Sequence, residues 1–413
     1  MRFIHISDLH LGKNIYGVSM IENGDQTDWV EQFIKTAGET APDAVVIAGD
    51  VYDRSSPSGE AVLLLDHLLT GLSELGIPVL MVAGNHDSGQ RLSFGKNLLS
   101  QNQIYISGTL DKKLTSVRIA SKDGKDNTVF WLMPYLFPAL VSQVLEDETI
   151  HDYDTAVRRL LAAQEIDFSE KNILIAHQNV TANGVEAERG GSETMVGGVG
   201  QIDYTAFDGF TYAALGHIHS AYPVGRPEVR YAGSPLYYHF DELRQPAKGP
   251  LLVEVGEDGA VTSTLLHIPP LHKMREIKDT YANIKENLEQ NEIREEYLRV
   301  VVTDQKITPE ISGFLRDICE SRDSILMELI SEYQEFTSVG HGVTREEAEE
   351  ASLEELFTRF FKERRGGEAP DEKEQAILRT AEEILQDHKG ADSREPQEKA
   401  VDRLLKFILG QEE

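Results

Sequence analysis

The chain of 413 residues contains one cysteine, Cys319, and two tryptophans. A single thiol closes no internal disulfide and leaves no thiolate metal site, because structural thiolate sites draw on several cysteines together. Set in the helically spaced "ISGFLRDICESR", Cys319 reads as a packing residue in a reducing compartment. Long apolar runs are also missing, and none approaches the roughly 20 residues of a membrane span. The opening "MRFIHISD" enters a strand pattern without the basic and apolar regions of a secretory leader. The expectation is a soluble, cytoplasmic chain with no membrane contact. Positive charge is scarce as well. Lysine and arginine number 40 against 70 acidic residues, a net charge of -30, divided as 19 against 35 over residues 1–270 and 21 against 35 over 271–413. Neither part offers the basic surface on which sequence-independent nucleic-acid binding rests. Bound divalent cations or a partner would have to supply that charge.

What is present is a recurrence of short aliphatic segments, "RFIHIS", "AVVIAG", "PVLMVAG", "NILIAH" and "YAALGH", several of them preceded by helical patterns. This reads as an α/β fold. Trp29, Val30, Phe33, Ile34 and Ala37 share one helical face, "GEAVLLLDHLLTGLSELG" repeats the pattern, and both predicted helices cover strands. Two extended runs around Glu257-Asp258-Gly259 signal a hairpin, closed by Pro269-Pro270, so a first domain is expected over 1–270. Residues 271–340 read as a small α+β appendage, with "YLRVVVTD" as a strand between helical stretches at 279–296 and 308–322. Residues 341–413 read as charged helices in which Leu356, Phe357, Phe360 and Phe361 form a stripe that needs burial on its own core or on a partner. The segment between Val180 and Ile202, with Gly184, Gly190, Gly191, Gly197, Gly198 and Gly200, is expected to be a mobile loop near the site.

Each aliphatic segment ends in residues able to hold a metal. The first gives Asp8 and His10, the second Asp50 and Asp53, the third Asn85, His86 and Asp87, the fourth His177, and the fifth His217 and His219. Ligands of open α/β sheets collect beyond the carboxyl ends of the strands, so the five ends can converge. Alternation along extended backbone would point Asp8 and His10 the same way, and His217 and His219 likewise, so that each pair grips one ion. Gly49, Gly84 and Gly216 precede these residues and permit sharp turns or close approach of the backbone. A set of imidazole, carboxylate and amide oxygen without thiolate suits manganese or iron, then zinc, then magnesium. Two ions sharing a bridging carboxylate, for which Asp50 is the candidate, are a common device for attack on phosphorus. Such a pair would leave local positive charge in an acidic chain. His86, with Asp87 beside it as an orienting carboxylate, is the candidate proton donor to a leaving oxygen.

Other polar residues take plainer roles. His5 lies inside the first strand and is expected to be a hydrogen-bonded core histidine. Asp53 is expected to support a ligand from behind it. His67, His151, His239, His267, His272, His341 and His388 sit in no pattern and are read as structural or surface residues.

The ordered motifs "DLH", "GDVYD", "GNHD", "AHQ" and "GHIH" resemble the calcineurin-like metallophosphoesterase superfamily. More narrowly, "FIHISDLHLGK", "GDVYDRSSPS" and "YAGSPLYYHF" are similar to its double-strand-break repair nucleases, strongly over the first 270 residues. The resemblance implies a β-sandwich flanked by helices, with a capping domain at 271–340 that presents DNA and helices after 340 that dock on a partner. It implies two divalent ions, manganese foremost, one held by Asp8, His10, Asp50 and His219 and the other by Asp50, Asn85, His177 and His217. His86 would be the catalytic histidine. The implied activity is exonucleolytic on duplex ends and endonucleolytic on hairpins or single strands. The implied partners are DNA, an SbcC-like SMC-family ATPase and a second copy of the chain. A phosphoesterase acting on nucleotides, phosphoproteins or lipid diphosphates could use the same eight residues but would not need the 140 further ones. A scaffold with a structural metal site would leave His86 without a task.

Overall fold

The two edges of the first predicted segment set the architecture. In a computed structural model that describes residues 1–182, 200–245, 247–290 and 293–333 together with 358, 362 and 370, the strand Arg2–Ile6 pairs in parallel with Ala44–Ala48 on one side and antiparallel with Leu251–Val255 on the other. That sheet has six strands, continuing through Val79–Val82 and Ile104–Ser107 at one end and Val261–Leu265 at the other. A second six-stranded sheet runs Pro223–Val224, Arg226–Tyr231, Tyr212–Gly216, Lys171–His177, Asn127–Met133 and Thr115–Ala120.

The side-chain period of two sorts each inner strand between two dry layers, which is why these segments are aliphatic throughout rather than alternating with polar residues. Ala44, Val46 and Ala48 pack with Phe130, Ile173, Ile175 and Ala214 of the facing sheet, while Val45 and Ile47 pack under the helices. The helices Asp25–Thr40 and Gly59–Glu74 cover the first sheet with Trp29, Val30, Phe33, Leu65, Leu68 and Leu72. The second of these starts where the Ser58 hydroxyl accepts from Ala61 N, a conventional N-cap. Pro138–Leu145 and Tyr153–Ala162 cover the second sheet. This is the helix-flanked sandwich expected above, with the hairpin Leu251–Val255 to Val261–Leu265 in place.

The appendage differs from its expectation in one respect. Lys273–Asp279, Glu296–Val302 and Ile325–Ser331 form an all-parallel sheet alternating with the helices Tyr281–Gln290 and Pro309–Glu320, so the unit is βαβαβ rather than α+β with segregated helices. The buried run of Glu296–Val302 is that of a central parallel strand. Cys319 packs with Leu288, Leu315 and Val300, and burial pushes its thiol up to about 11. The chain from Met1 to Gln334 is one compact unit. Two polar clusters fasten the appendage to the sandwich. The buried carboxylate of Asp25 accepts from the Tyr297 hydroxyl and faces His272 Nδ1 at 3.0 Å. Arg299 reaches Glu328 at 2.6 Å, Asp241 at 2.9 Å and Glu276 at 3.2 Å. Among the described residues no helix is long and apolar enough to cross a membrane. The phenylalanine stripe, the helical reading of 341–413 apart from positions 358, 362 and 370, and Gly184 to Gly198 lie outside the described residues.

The packing can be tested at two places. Arg299→Met leaves three carboxylates without their common cation and is expected to cost about 2–3 kcal/mol, read from urea unfolding. An unchanged midpoint would remove Arg299 from the interface energetics. His5, buried beside the Tyr212 hydroxyl at 3.1 Å, is lowered to about 3 chiefly by burial. The unfolded chain therefore takes up a proton near pH 6.5 that the folded chain refuses, and the stability His5 contributes above that pH is lost as pH falls towards 3. Between about pH 7 and pH 5 the wild type should lose about 2 kcal/mol more than His5→Gln. Parallel pH profiles for the two proteins would refute this.

Candidate metal centre

Five strand ends meet at one edge of the sandwich. Beyond Ile6 the chain leaves the strand geometry, with Asp8 at φ 53 and His10 at φ 43, and runs alongside the segment after Ala48 through Asp8 N to Gly49 O (3.0 Å) and His10 N to Asp50 O (2.9 Å). Asp50 is itself left-handed at φ 47 and His217 lies at φ 104. The shared orientation of Asp8 with His10, and of His217 with His219, is thus not the alternation of a strand. It is made by positive-φ turns braced against neighbouring backbone, a strain that persists where the surroundings over-determine it.

The glycines act through space as the sequence suggested. A Cβ on Gly49 would lie 2.4 Å from His177 Nδ1, one on Gly84 2.1 Å from Asp50 Oδ1, and one on Gly216 1.9 Å from the Ala48 carbonyl. Only hydrogen fits where these strand ends converge.

Three groups of ligand-type side chains result: Asp8 with His10 and His219, Asp8 with Asp50 and His177, and His10 with Asp50 and His86. His10 Nε2 lies 3.2 Å from His219 Nε2 and 3.6 Å from Asp50 Oδ2. His177 Nε2 lies 3.2 Å from Asp50 Oδ2 and 3.1 Å from Asn85 Oδ1, and Asn85 Oδ1 is 3.1 Å from His217 Nδ1. All seven residues expected to hold metal are therefore together, and Asp50 stands between the two subsets. His177 Nδ1 donates to the Ala48 carbonyl at 2.8 Å, which aims Nε2 inward. Among the described residues the buried Nδ1 of His10 has no hydrogen-bond partner, and it lies 3.5 Å from Asp53 Oδ1.

Electrostatics favour bound positive charge. Burial raises the Asp8 carboxyl, and it would do the same to Asp50. Around Asp50, however, His177, His10 and His86 outweigh burial and hold it well below the carboxylate range. Burial pulls His177 down, but Asp50 beside it wins and lifts the imidazole to about 9. A proton thus sits where the carboxylates demand a cation, and a donor set of carboxylate, imidazole and amide oxygen fits a hard to borderline divalent ion.

His86 is exposed, with its backbone N–H donating to Asp50 Oδ1 at 2.9 Å and its Nδ1 to the Asp53 carbonyl at 2.9 Å. Here the expectation for Asp87 needs correcting. Asp87 does not orient the His86 ring; its oxygens accept from Val51 N, Tyr52 N and Gly84 N at 3.1, 2.9 and 2.8 Å, pinning the two turns together. Adjacent residues on a tight turn point apart, and the three orphan N–H groups capture the carboxylate. Burial and the nearby Asp50 raise it to about 6. Asp53 lies behind His10 as expected and pairs with Lys13 at 2.7 Å. The sequence reading overlooked Glu242, a fully buried carboxylate 3.2 Å from His219 Nδ1, and Gln26, which donates to the His10 carbonyl at 2.9 Å. Neither lies within one of the five ligand-bearing motifs. The only sign of Glu242 was its place just after "YAGSPLYYHF".

Residues 1–221 match the calcineurin-like phosphoesterase family, and the chain belongs to that family. Its members' chemistry makes this a metal-dependent phosphoester hydrolase. Residues 270–365 match a second family, SbcD_C, described as the type 5 capsule protein repressor C-terminal domain, and the two domains together are consistent with the nuclease subunit SbcD. Among solved structures the chain is similar to TT1561 of Thermus thermophilus, at 10% identity and TM-score 0.38 over 64% of this chain and 98% of that one.

The close approach of the strand ends yields a prediction. Gly216→Ala should cost at least about 3 kcal/mol in thermal or chemical unfolding, since the obstacle is a backbone carbonyl that cannot turn aside. Gly313→Ala, where a Cβ meets nothing within 4 Å, should be neutral or stabilising by up to about 1 kcal/mol. Equal stability of the two variants would contradict the packing described.

Proposed function

We propose that the protein is an SbcD-like DNA nuclease, cutting duplex ends, hairpins and single strands in DNA repair and recombination, and working as a dimer with an SbcC-like SMC-family ATPase. The observation that carries the reading is the pairing of a phosphoesterase domain over residues 1–221 with the SbcD_C domain over 270–365. A phosphoesterase acting on small substrates has no evident use for the second.

Asp8, His10, Asp50 and His219 are assigned to one divalent ion and Asp50, Asn85, His177 and His217 to the other, with manganese the expected metal. When bound, two such ions supply Lewis acidity, an activated water and positive charge that draws a phosphodiester to a chain of net charge -30. The protein's own work is to hold and orient. His86 is assigned as the proton donor. As the imidazolium, with its Nδ1–H donated to the Asp53 carbonyl at 2.9 Å, the ring gives its Nε2 proton to the departing oxygen and is left as the neutral Nδ1–H tautomer. Asp87 is assigned to the site as the clamp on the turns that carry Asp50 and His86. With ions bound, the carboxylates of Asp8 and Asp50 would balance their charge and the imidazoles would bind as neutral donors. Residues 271–340 present the DNA, and the helices expected after 340 dock on the ATPase.

The test is hydrolysis of a labelled duplex with a free end, and of a hairpin, by the purified chain with manganese. Wild type should cut, His86→Ala should lose cutting by about 100-fold or more while still binding metal, and Asp50→Ala should lose metal. If neither DNA is cut even with the ATPase present while a small phosphodiester is turned over, the DNA assignment falls and the hydrolase remains.

A further inference from the structure

The short turn Phe240–Arg244 lies outside the five ligand-bearing strand ends and presents Glu242 to the metal centre from behind. Glu242 is completely buried, with Oε1 3.2 Å from His219 Nδ1. Its Oε2 accepts from Tyr238 N at 3.0 Å and lies 3.1 Å from Lys248 Nζ. Lys248 is buried too and donates to Ser234 Oγ at 2.9 Å and to the His219 carbonyl at 2.5 Å.

A buried carboxylate is costly unless charge and hydrogen bonds compensate it, and here both oxygens are engaged and an ammonium is adjacent. Oε2 is taken up by Tyr238 N and the Lys248 ammonium, and Oε1 faces His219 Nδ1 as an acceptor. His219 Nδ1 must then be the N–H, which leaves the ring's lone pair on Nε2, the atom 3.2 Å from His10 Nε2 inside the cluster. The turn cannot swing away, because Asp241 is held by Arg299 at 2.9 Å and the Arg299 guanidinium lies 4.8 Å from the centre of the Phe240 ring. The central strand of the appended sheet thereby braces the residue that stands behind a metal-type histidine.

We infer that Glu242, backed by Lys248, is a positioning residue that sets the tautomer and orientation of His219 so that Nε2 faces a divalent cation. The inference rests on the reading of Asp8, His10 and His219 as metal ligands.

The test is calorimetric titration of Mn2+ into the full chain as wild type, Glu242→Gln and His219→Ala, joined to the histidine 15N spectrum of the metal-free wild type. Two ions should bind the wild type, one should be lost from His219→Ala, and Glu242→Gln should keep both with one affinity weakened about 10–100-fold. The wild-type spectrum should show His219 protonated at Nδ1. Unchanged affinities in a folded Glu242→Gln overturn the inference and leave the metal reading standing. A His219→Ala protein that still binds two ions overturns the metal reading itself. A wild-type His219 with its proton on Nε2 overturns the inference without any variant, so the outcome does not depend on whether Glu242→Gln folds.

Discussion

Two carboxylates, Asp8 and Asp50, are buried within reach of each other, and the rest of the site follows from that cost. Charges so placed are tolerable only with cations or protonated imidazoles between and around them. The lifted His177 and the lowered Asp50 meet this demand with a proton. Divalent ions are the answer suited to hydrolysis. A site of this kind gives up stability, and the two dry layers around the central strands provide the compensating burial.

The same crowding explains the backbone. Bringing five strand ends together leaves no room for a Cβ at Gly49, Gly84 or Gly216, and forces Asp8, His10 and Asp50 into left-handed geometry. The N–H groups released by those turns need acceptors, and Asp87 supplies one carboxylate to three of them. Asp87 is therefore bound to the shape of the site rather than to the His86 ring. The appended βαβαβ unit takes part through Arg299, which pairs with Asp241 in the turn that carries Glu242. A domain expected only to present substrate thus also touches the frame of the metal centre.

Much of this was legible in the sequence for a simple reason. Strand identity and strand-end chemistry are local: "AVVIAG" is a strand whatever surrounds it, and glycine before aspartate or histidine at its tip marks a tight, functional turn. The five motifs therefore determined the α/β class and which side chains meet at the strand ends, down to Asn85 and His177. The tertiary structure alone decided what depends on partners distant in the chain. Glu242 meets His219 across 23 residues and Arg299 meets Asp241 across 58, with no periodicity to announce either. The direction of Asp87 turned on which backbone N–H groups were left unpaired by folding. The parallel order of the appendage turned on the pairing of Glu296–Val302 with both neighbouring strands, which short-range pattern does not encode.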